Sequence, residues 1–381
     1  MSNKLDKREK LRLQLSNPTS AWPQGNEIFS YGALEVYLSY VGLNHRARSW
    51  AHIPHSIWTG CSEELFHETE MASRSFSTLL VHNRWDQEIY SKLLKNRKKV
   101  EVVCHPFYIL EKLYGRINRE EKRGTVFFYP HGLGPQCPPA LSFDALVKYL
   151  TDLDEKHKPI YVCFHYNDYS LLNLTPLSDA GLIPVCAGSP RDPDFMHRLY
   201  VLLDESKTTI SVDYGTQVFL SIISGCQTFL EDRLAVLNFT PPEYYPCYGY
   251  TLPFGHYRKF FKLLKIGQFA DDLEVTAYAD ELLGRSEIPT PSELVKIFSE
   301  ARLVAFKFIK DANLTIPIAI HRFFTEPIRL KMKGLRIKLG LRLLQRGDFY
   351  VYPPFAISRV IAHQDAESSE KKQAEVEPYF L

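Results

Sequence analysis

Five short apolar runs constrain the fold most: TVFFYP (125–130), PIYVCFHYND (159–168), LIPVCAG (182–188), TTISVD (208–213) and CQTFL (226–230). Their apolar residues are continuous rather than alternating, which suits strands buried on both faces. The stretches between them, ALSFDALVKYLTDLDEK (140–156), DPDFMHRLYVLLDES (192–206) and YGTQVFLSIISG (214–225), carry helical spacing instead. Regular alternation of strand and helix predicts a parallel sheet covered by helices, an α/β domain.

A shorter version of the pattern precedes it. EIFSYGALEVYLSYVGL (27–43) has helical spacing, and ARSWAHIPHSIWTG (47–60) reads as a short strand and a loop. STLLVHN (77–83) reads as a strand, RWDQEIYSKLLKN (84–96) as a helix, and KKVEVVCHPFYIL (98–110) as a strand running into a loop. The polar stretch NREEKRG (118–124) is the natural linker. The expected organisation is a charged segment at 1–20 containing a short helix, a Rossmann-like domain at 21–120 and a second at 124–250. A helical region at 251–363 and a disordered polar tail at 364–381 complete it.

Composition narrows the class. The 381 residues carry a net charge of +2, which argues against a nucleic-acid binder. Seven cysteines are scattered with no C-x-x-C pair, as suits a reducing cytosol. The N-terminus lacks a signal-peptide core, and no run reaches the roughly 18 apolar residues of a membrane span. The expectation is a cytoplasmic protein that touches the inner face of the membrane at most peripherally.

In an open parallel sheet, ligands bind beyond the carboxyl ends of the strands. Four such ends in the second half carry suitable residues: His131, Gly132 and Gly134; His165 and Asp168; Gly188, Ser189 and Arg191; Gly215 and Thr216. Glycines let an anion approach the backbone, and a following helix offers free N–H groups. The convergence of four loops predicts a phosphate site. The plainer alternatives are a helix cap by Asp213 or Thr216, packed histidines, and an ion pair of Arg191 with Asp192 or Asp194. In the first half, His52, His55 and Trp58 lie in one loop. There a histidine suits a general base on a sugar hydroxyl, and a tryptophan suits stacking on a sugar ring. Glu27 and Asp86 are rival bases, and a surface loop with a packed tryptophan is the simpler alternative. The absence of H-E-x-x-H and of any Cys/His quartet predicts no metal and no cofactor. The acid-free run RLKMKGLRIKLGLRLLQR (329–346) can be drawn as a helix with an apolar face and basic flanks. It suits either anionic lipid or a core with solvated lysines.

Residues 192–230, DPDFMHRLYVLLDESKTTISVDYGTQVFLSIISGCQTFL, resemble the donor half of GT-B glycosyltransferases and of UDP-GlcNAc epimerases. The likeness extends to GT-B-type proteins of bacterial capsule and O-antigen biosynthesis over roughly 25–235. It is carried by Tyr31–Gly32, Tyr40 to Leu43, Ile53 to Ser56, Val102 to Tyr108 and Tyr214 to Thr216. Asp213 stands where many members have Asn or Ser, and Ser56 where many have Gly. The resemblance implies two Rossmann-like domains facing a cleft, with C-terminal helices. It implies metal-independent transfer from a nucleotide-activated sugar to a glycan or lipid-linked glycan. Gly132, Gly134, His165, Gly188, Ser189, Arg191, Gly215 and Thr216 would bind the donor. His55 and His131 would be catalytic, and Trp58 would meet the acceptor. The alternatives are an epimerase or glycerol-phosphate-type transferase on the same fold, or a non-catalytic partner in glycan assembly.

Overall fold

The computed structural model describes residues 2–16, 31–43, 51–53, 78–94, 98–130, 143–190, 192–212, 215–231 and 273–311. The chain divides into two units, residues 1–306 and 307–381, and both sheets belong to the first. Helices α1 (Ser2–Leu15) and α2 (Ala33–Tyr40) precede a sheet of β1 (Ala51–His52), β2 (Thr78–Val81) and β3 (Lys99–Val102). Its order is β1-β2-β3 and every pairing is parallel. Helix α3 (Arg84–Leu93) connects β2 to β3, and α4 (Pro106–Tyr114) follows β3.

The second sheet holds β4 (Thr125–Phe128), β5 (Ile160–Phe164), β6 (Ile183–Cys186), β7 (Thr208–Ser211) and β8 (Gln227–Leu230). All four pairings are parallel, in the order β6-β5-β4-β7-β8. Its connections contain α5 (Phe143–Thr151), α6 (Tyr166–Leu171), α7 (Thr175–Asp179), α8 (Phe195–Glu205) and α9 (Thr216–Ile223). Then come α10 (Leu273–Leu282) and α11 (Pro291–Asp311). The protein is thus α/β, with two parallel sheets, as the alternation predicts.

Burial on both faces explains the continuous apolar runs. Phe127, Tyr129 and Ile210 pack with Leu146 and Leu150 of α5 and Leu177 of α7. Val126, Cys163 and Val185 point the other way, onto Leu202 of α8 and Leu15 of α1. One further core joins the two halves: Tyr37, Leu80 and Phe107 cluster with Leu203, Phe219, Tyr278 and Leu282. Among the described residues no helix is long and apolar enough to cross a membrane.

Two strand ends differ from the sequence reading. CHPFYIL does not run on as a loop after β3; its last residues begin α4. Pro106 stands in the first turn, where its missing N–H costs nothing, and the His105 side chain accepts from the Phe107 N–H at 3.3 Å. His165 likewise ends a strand and caps α6, accepting from the Asn167 N–H at 3.4 Å. Within NREEKRG, Lys122 is buried and donates to the carbonyls of Leu203 (3.2 Å) and Ser224 (2.8 Å). That stretch is therefore stitched to the helices of the second sheet.

Candidate functional site

Strand order locates the site. From β4 the chain steps outward to β5 and β6, then crosses back to place β7 and β8 on the other side of β4. The order reverses between β4 and β7, and a crevice opens at the carboxyl ends of two such strands. Phe128 pairs with Ser211, so those ends lie side by side. Beyond β4 comes the stretch with His131, Gly132 and Gly134, which lies outside the described residues. Beyond β7 come Gly215 and Thr216. The ends of β5 and β6, bearing His165 and Gly188, share the same edge because every pairing is parallel.

Gly215 is the N-cap of α9 and offers no side chain to the first-turn N–H groups. Its φ of −96° and ψ of 178° are extended backbone open to any residue, so conformation does not require glycine. A Cβ would meet the side-chain amide of Gln217, which folds back over Gly215, but that flexible end can swing aside, so space does not require glycine either. Gln217 also donates to the Ser211 hydroxyl at 3.1 Å, tying the start of α9 to the end of β7.

The β6 loop is built differently. Gly188 has a φ of +113°, and a Cβ there would lie 2.3 Å from the Arg198 guanidinium. Arg198 is fully buried; it donates to the Ala187 carbonyl at 2.7 Å and forms an ion pair with the equally buried Asp192. Asp192 in turn accepts from the Asp194 N–H at 2.9 Å. Tyr31 closes the loop from outside, donating its N–H to the Pro190 carbonyl at 2.9 Å. Gly32 approaches so closely that a Cβ would sit 2.7 Å from the Pro193 carbonyl oxygen. The sequence hides the role of Arg198, because an arginine inside an amphipathic helix reads as surface charge. Arg191 lies outside the described residues.

In the first half, His52 ends β1, while His55, Trp58 and Glu27 lie outside the described residues. The ends of β2 and β3 are closed. His82 and His105 are buried with ring centroids 4.9 Å apart. Burial pulls His82 down to about 4 and His105 well below its ordinary range. Asp86 is buried beside Asn83, and burial pushes its carboxyl up to about 7, against the pull of the Asn83 hydrogen bond. Tyr37 donates its hydroxyl to the Cys104 carbonyl at 2.5 Å.

These groups set a pH dependence of stability. A histidine held neutral in the fold stabilises fully above its unfolded value near 6.5, and the contribution is lost as pH falls toward 4. His82, His105 and His197, which burial also lowers to about 4, all act in this direction. Asp86 opposes them, because its raised value favours the fold below about 7. His157 acts with the histidines and Asp192 and Glu205 act with Asp86, all chiefly through burial, and the three deeply buried histidines set the sign: unfolding free energy falls between pH 7 and 5. Denaturation midpoints at the two pH values measure this, and Asp86→Asn steepens the loss. A wild-type protein that gains stability on acidification contradicts the assignment.

Among the described residues no group of three His, Cys, Asp or Glu side chains is placed to hold a metal ion. A recess of about 390 Å³ lies beside β3, lined by residues that include Lys99, Glu101, Lys296 and Glu300. Lys99 pairs with Glu101 and Glu300 there, and no lining residue belongs to the second sheet.

No known family model and no curated protein matches the chain. Among solved structures, Arabidopsis thaliana UGT89C1 complexed with UDP-L-rhamnose aligns over 81% of this chain and 76% of its own. The identity is 12% and the TM-score 0.29. The same protein complexed with UDP aligns over 80% and 77%, with 12% identity and a TM-score of 0.29. So slight a likeness carries no weight for fold or function.

Proposed function

We propose that the chain is a glycosyltransferase that moves a sugar from a nucleotide-activated donor to an acceptor hydroxyl. One observation carries this reading: the order of the second sheet reverses between β4 and β7, and a glycine-bearing segment follows each. The donor phosphate would lie in that crevice, against the first N–H groups of α9 and the segment with His131, Gly132 and Gly134. In the reaction the acceptor oxygen bonds to the anomeric carbon as the bond from that carbon to the phosphate oxygen breaks. The departing electron pair stays on the phosphate, stabilised by N–H donors rather than by a metal. The hydroxyl proton passes to a base of the first half. Asp86 is enclosed, 4% exposed and engaged by Asn83, so the reading assigns the base to the segment after β1, where His55 lies. Trp58 on the same segment would stack on the acceptor. The acceptor in this reading is a lipid-linked surface glycan, as the sequence resemblance implies, with 329–346 against the inner membrane face.

A thermal-shift screen with CMP, UDP, GDP and CDP tests the donor site. One nucleotide stabilises the protein by about 2.7 kcal/mol at a hundredfold excess over its dissociation constant. Gly215→Asp, which sets a negative side chain where the phosphate would bind, loses that stabilisation and donor turnover. Stabilisation by none of the four, or full turnover in Gly215→Asp, overturns the reading.

A further inference from the structure

The carboxyl ends of β2 and β3 are covered by the end of α10 and the turn after it, residues 282–287. Asn83 donates to the Leu282 carbonyl at 2.9 Å. The His105 N–H donates to the Leu283 carbonyl at 2.8 Å, and the Cys104 N–H to that of Glu287 at 3.0 Å. Gly284 fits against His82 so closely that a Cβ would stand 1.9 Å from its carbonyl oxygen. The same Asn83 amide nitrogen donates to Asp86 Oδ2 at 3.0 Å, so one side chain joins the segment to a buried carboxyl group. Among the described residues, Asp86 Oδ1 is buried without a hydrogen-bond partner. A carboxylate with one oxygen satisfied and the other enclosed is costly, whereas the protonated acid is not.

We propose that residues 282–287 are a pH-sensitive strap, closed over the first sheet while Asp86 keeps its proton and released when Asp86 ionises. Opening hydrates the carboxylate, so the proton lost from Asp86 goes to solvent. Among the described residues the packed elements also carry Glu88 and Tyr90 on α3, Tyr278 and Glu281 on α10, and the Cys104 thiol, which burial pushes up. His82 and His105 face the same junction from β2 and β3, and burial keeps both neutral throughout the neutral and alkaline range. Arg84 of α3 pairs with Glu287 at 3.0 Å, and Arg285 with Asp280 of α10 at 3.4 Å. Asp86 carries the transition, its carboxyl being held up to about 7 by burial. A group raised in the closed state favours closure fully below its open-state value; the effect is lost by one factor of ten per unit as pH rises toward about 7 and levels off above it.

Amide hydrogen exchange reads the strap directly. The Cys104 and His105 N–H groups bond to it, whereas the neighbouring Val103 N–H bonds to the Val81 carbonyl within the sheet at 2.8 Å. Between pH 6 and 8, protection at Cys104 and His105, corrected for intrinsic exchange, falls about tenfold while Val103 is unchanged. In Asp86→Asn the two amides keep one level of protection across the range. An equal fall at Val103, no fall at Cys104 and His105, or the same fall in Asp86→Asn overturns the proposal. The wild-type comparison stands by itself where the variant does not fold.

Discussion

Replacing Arg198 with methionine lowers the unfolding free energy by about 3–5 kcal/mol, read from chemical denaturation. Breaking a buried ion pair from one side is expensive because the remaining charge stays in the interior. Asp192 is as buried as Arg198, and its carboxyl is already raised by burial, with Arg198 pulling it back down. Methionine also abandons the Ala187 carbonyl and the contact with Gln14 of α1 at 3.3 Å. Arg198→Lys does little better, since one ammonium cannot reach three separated acceptors as the planar guanidinium does. The double variant Arg198→Met, Asp192→Leu recovers part of the loss by removing the stranded carboxylate. It does not recover all of it, because the Asp194 N–H loses its acceptor. If Arg198→Met costs less than about 1 kcal/mol, the pair is not what fixes the β6 loop.

The sheets are legible in the sequence because burial on both faces writes itself into local pattern. TVFFYP, TTISVD and CQTFL each form strands, and the helices between them follow their apolar spacing. A parallel sheet also puts its strand-end loops on one edge, whatever the order of its strands. What local patterns do not encode is that order, which depends on crossovers between distant segments. The reversal between β4 and β7 is therefore invisible in the sequence, and it is what singles out two of the four loops. His105 and His165 show a second limit. Histidine is not a usual helix cap, so the first junction reads as a loop and the second as continuing strand, although Pro106 in the first helical turn is a signal present in the sequence. The buried charges Arg198, Lys122 and Asp86 show a third. Each partner set includes groups distant in sequence, such as Gln14 for Arg198 and Ser224 for Lys122, or a neighbour that only the fold closes over.

Gly284→Ala has an expected cost of about 2–5 kcal/mol, and a second glycine makes the reason separable. Gly284 and Gly181 both adopt left-handed backbone, with φ of +72° and +76°. For any other residue that conformation costs about 1–2 kcal/mol. At Gly181 nothing lies within 4 Å of an added Cβ, so Gly181→Ala shows the conformational cost alone. At Gly284 the Cβ meets the His82 carbonyl oxygen at 1.9 Å, a backbone atom that cannot swing aside. Relief requires the turn to lift from β2, which adds an overpacking cost of about 1–3 kcal/mol. Lifting also stretches the bonds from His105 to Leu283 and from Cys104 to Glu287. Denaturation of the two variants under one condition therefore measures how tightly the chain after α10 is docked on the first sheet. Equal losses at the two glycines would show that the close approach at His82 contributes nothing. A larger loss at Gly284, with faster exchange at Cys104 and His105, identifies that approach as the fastening of the two halves.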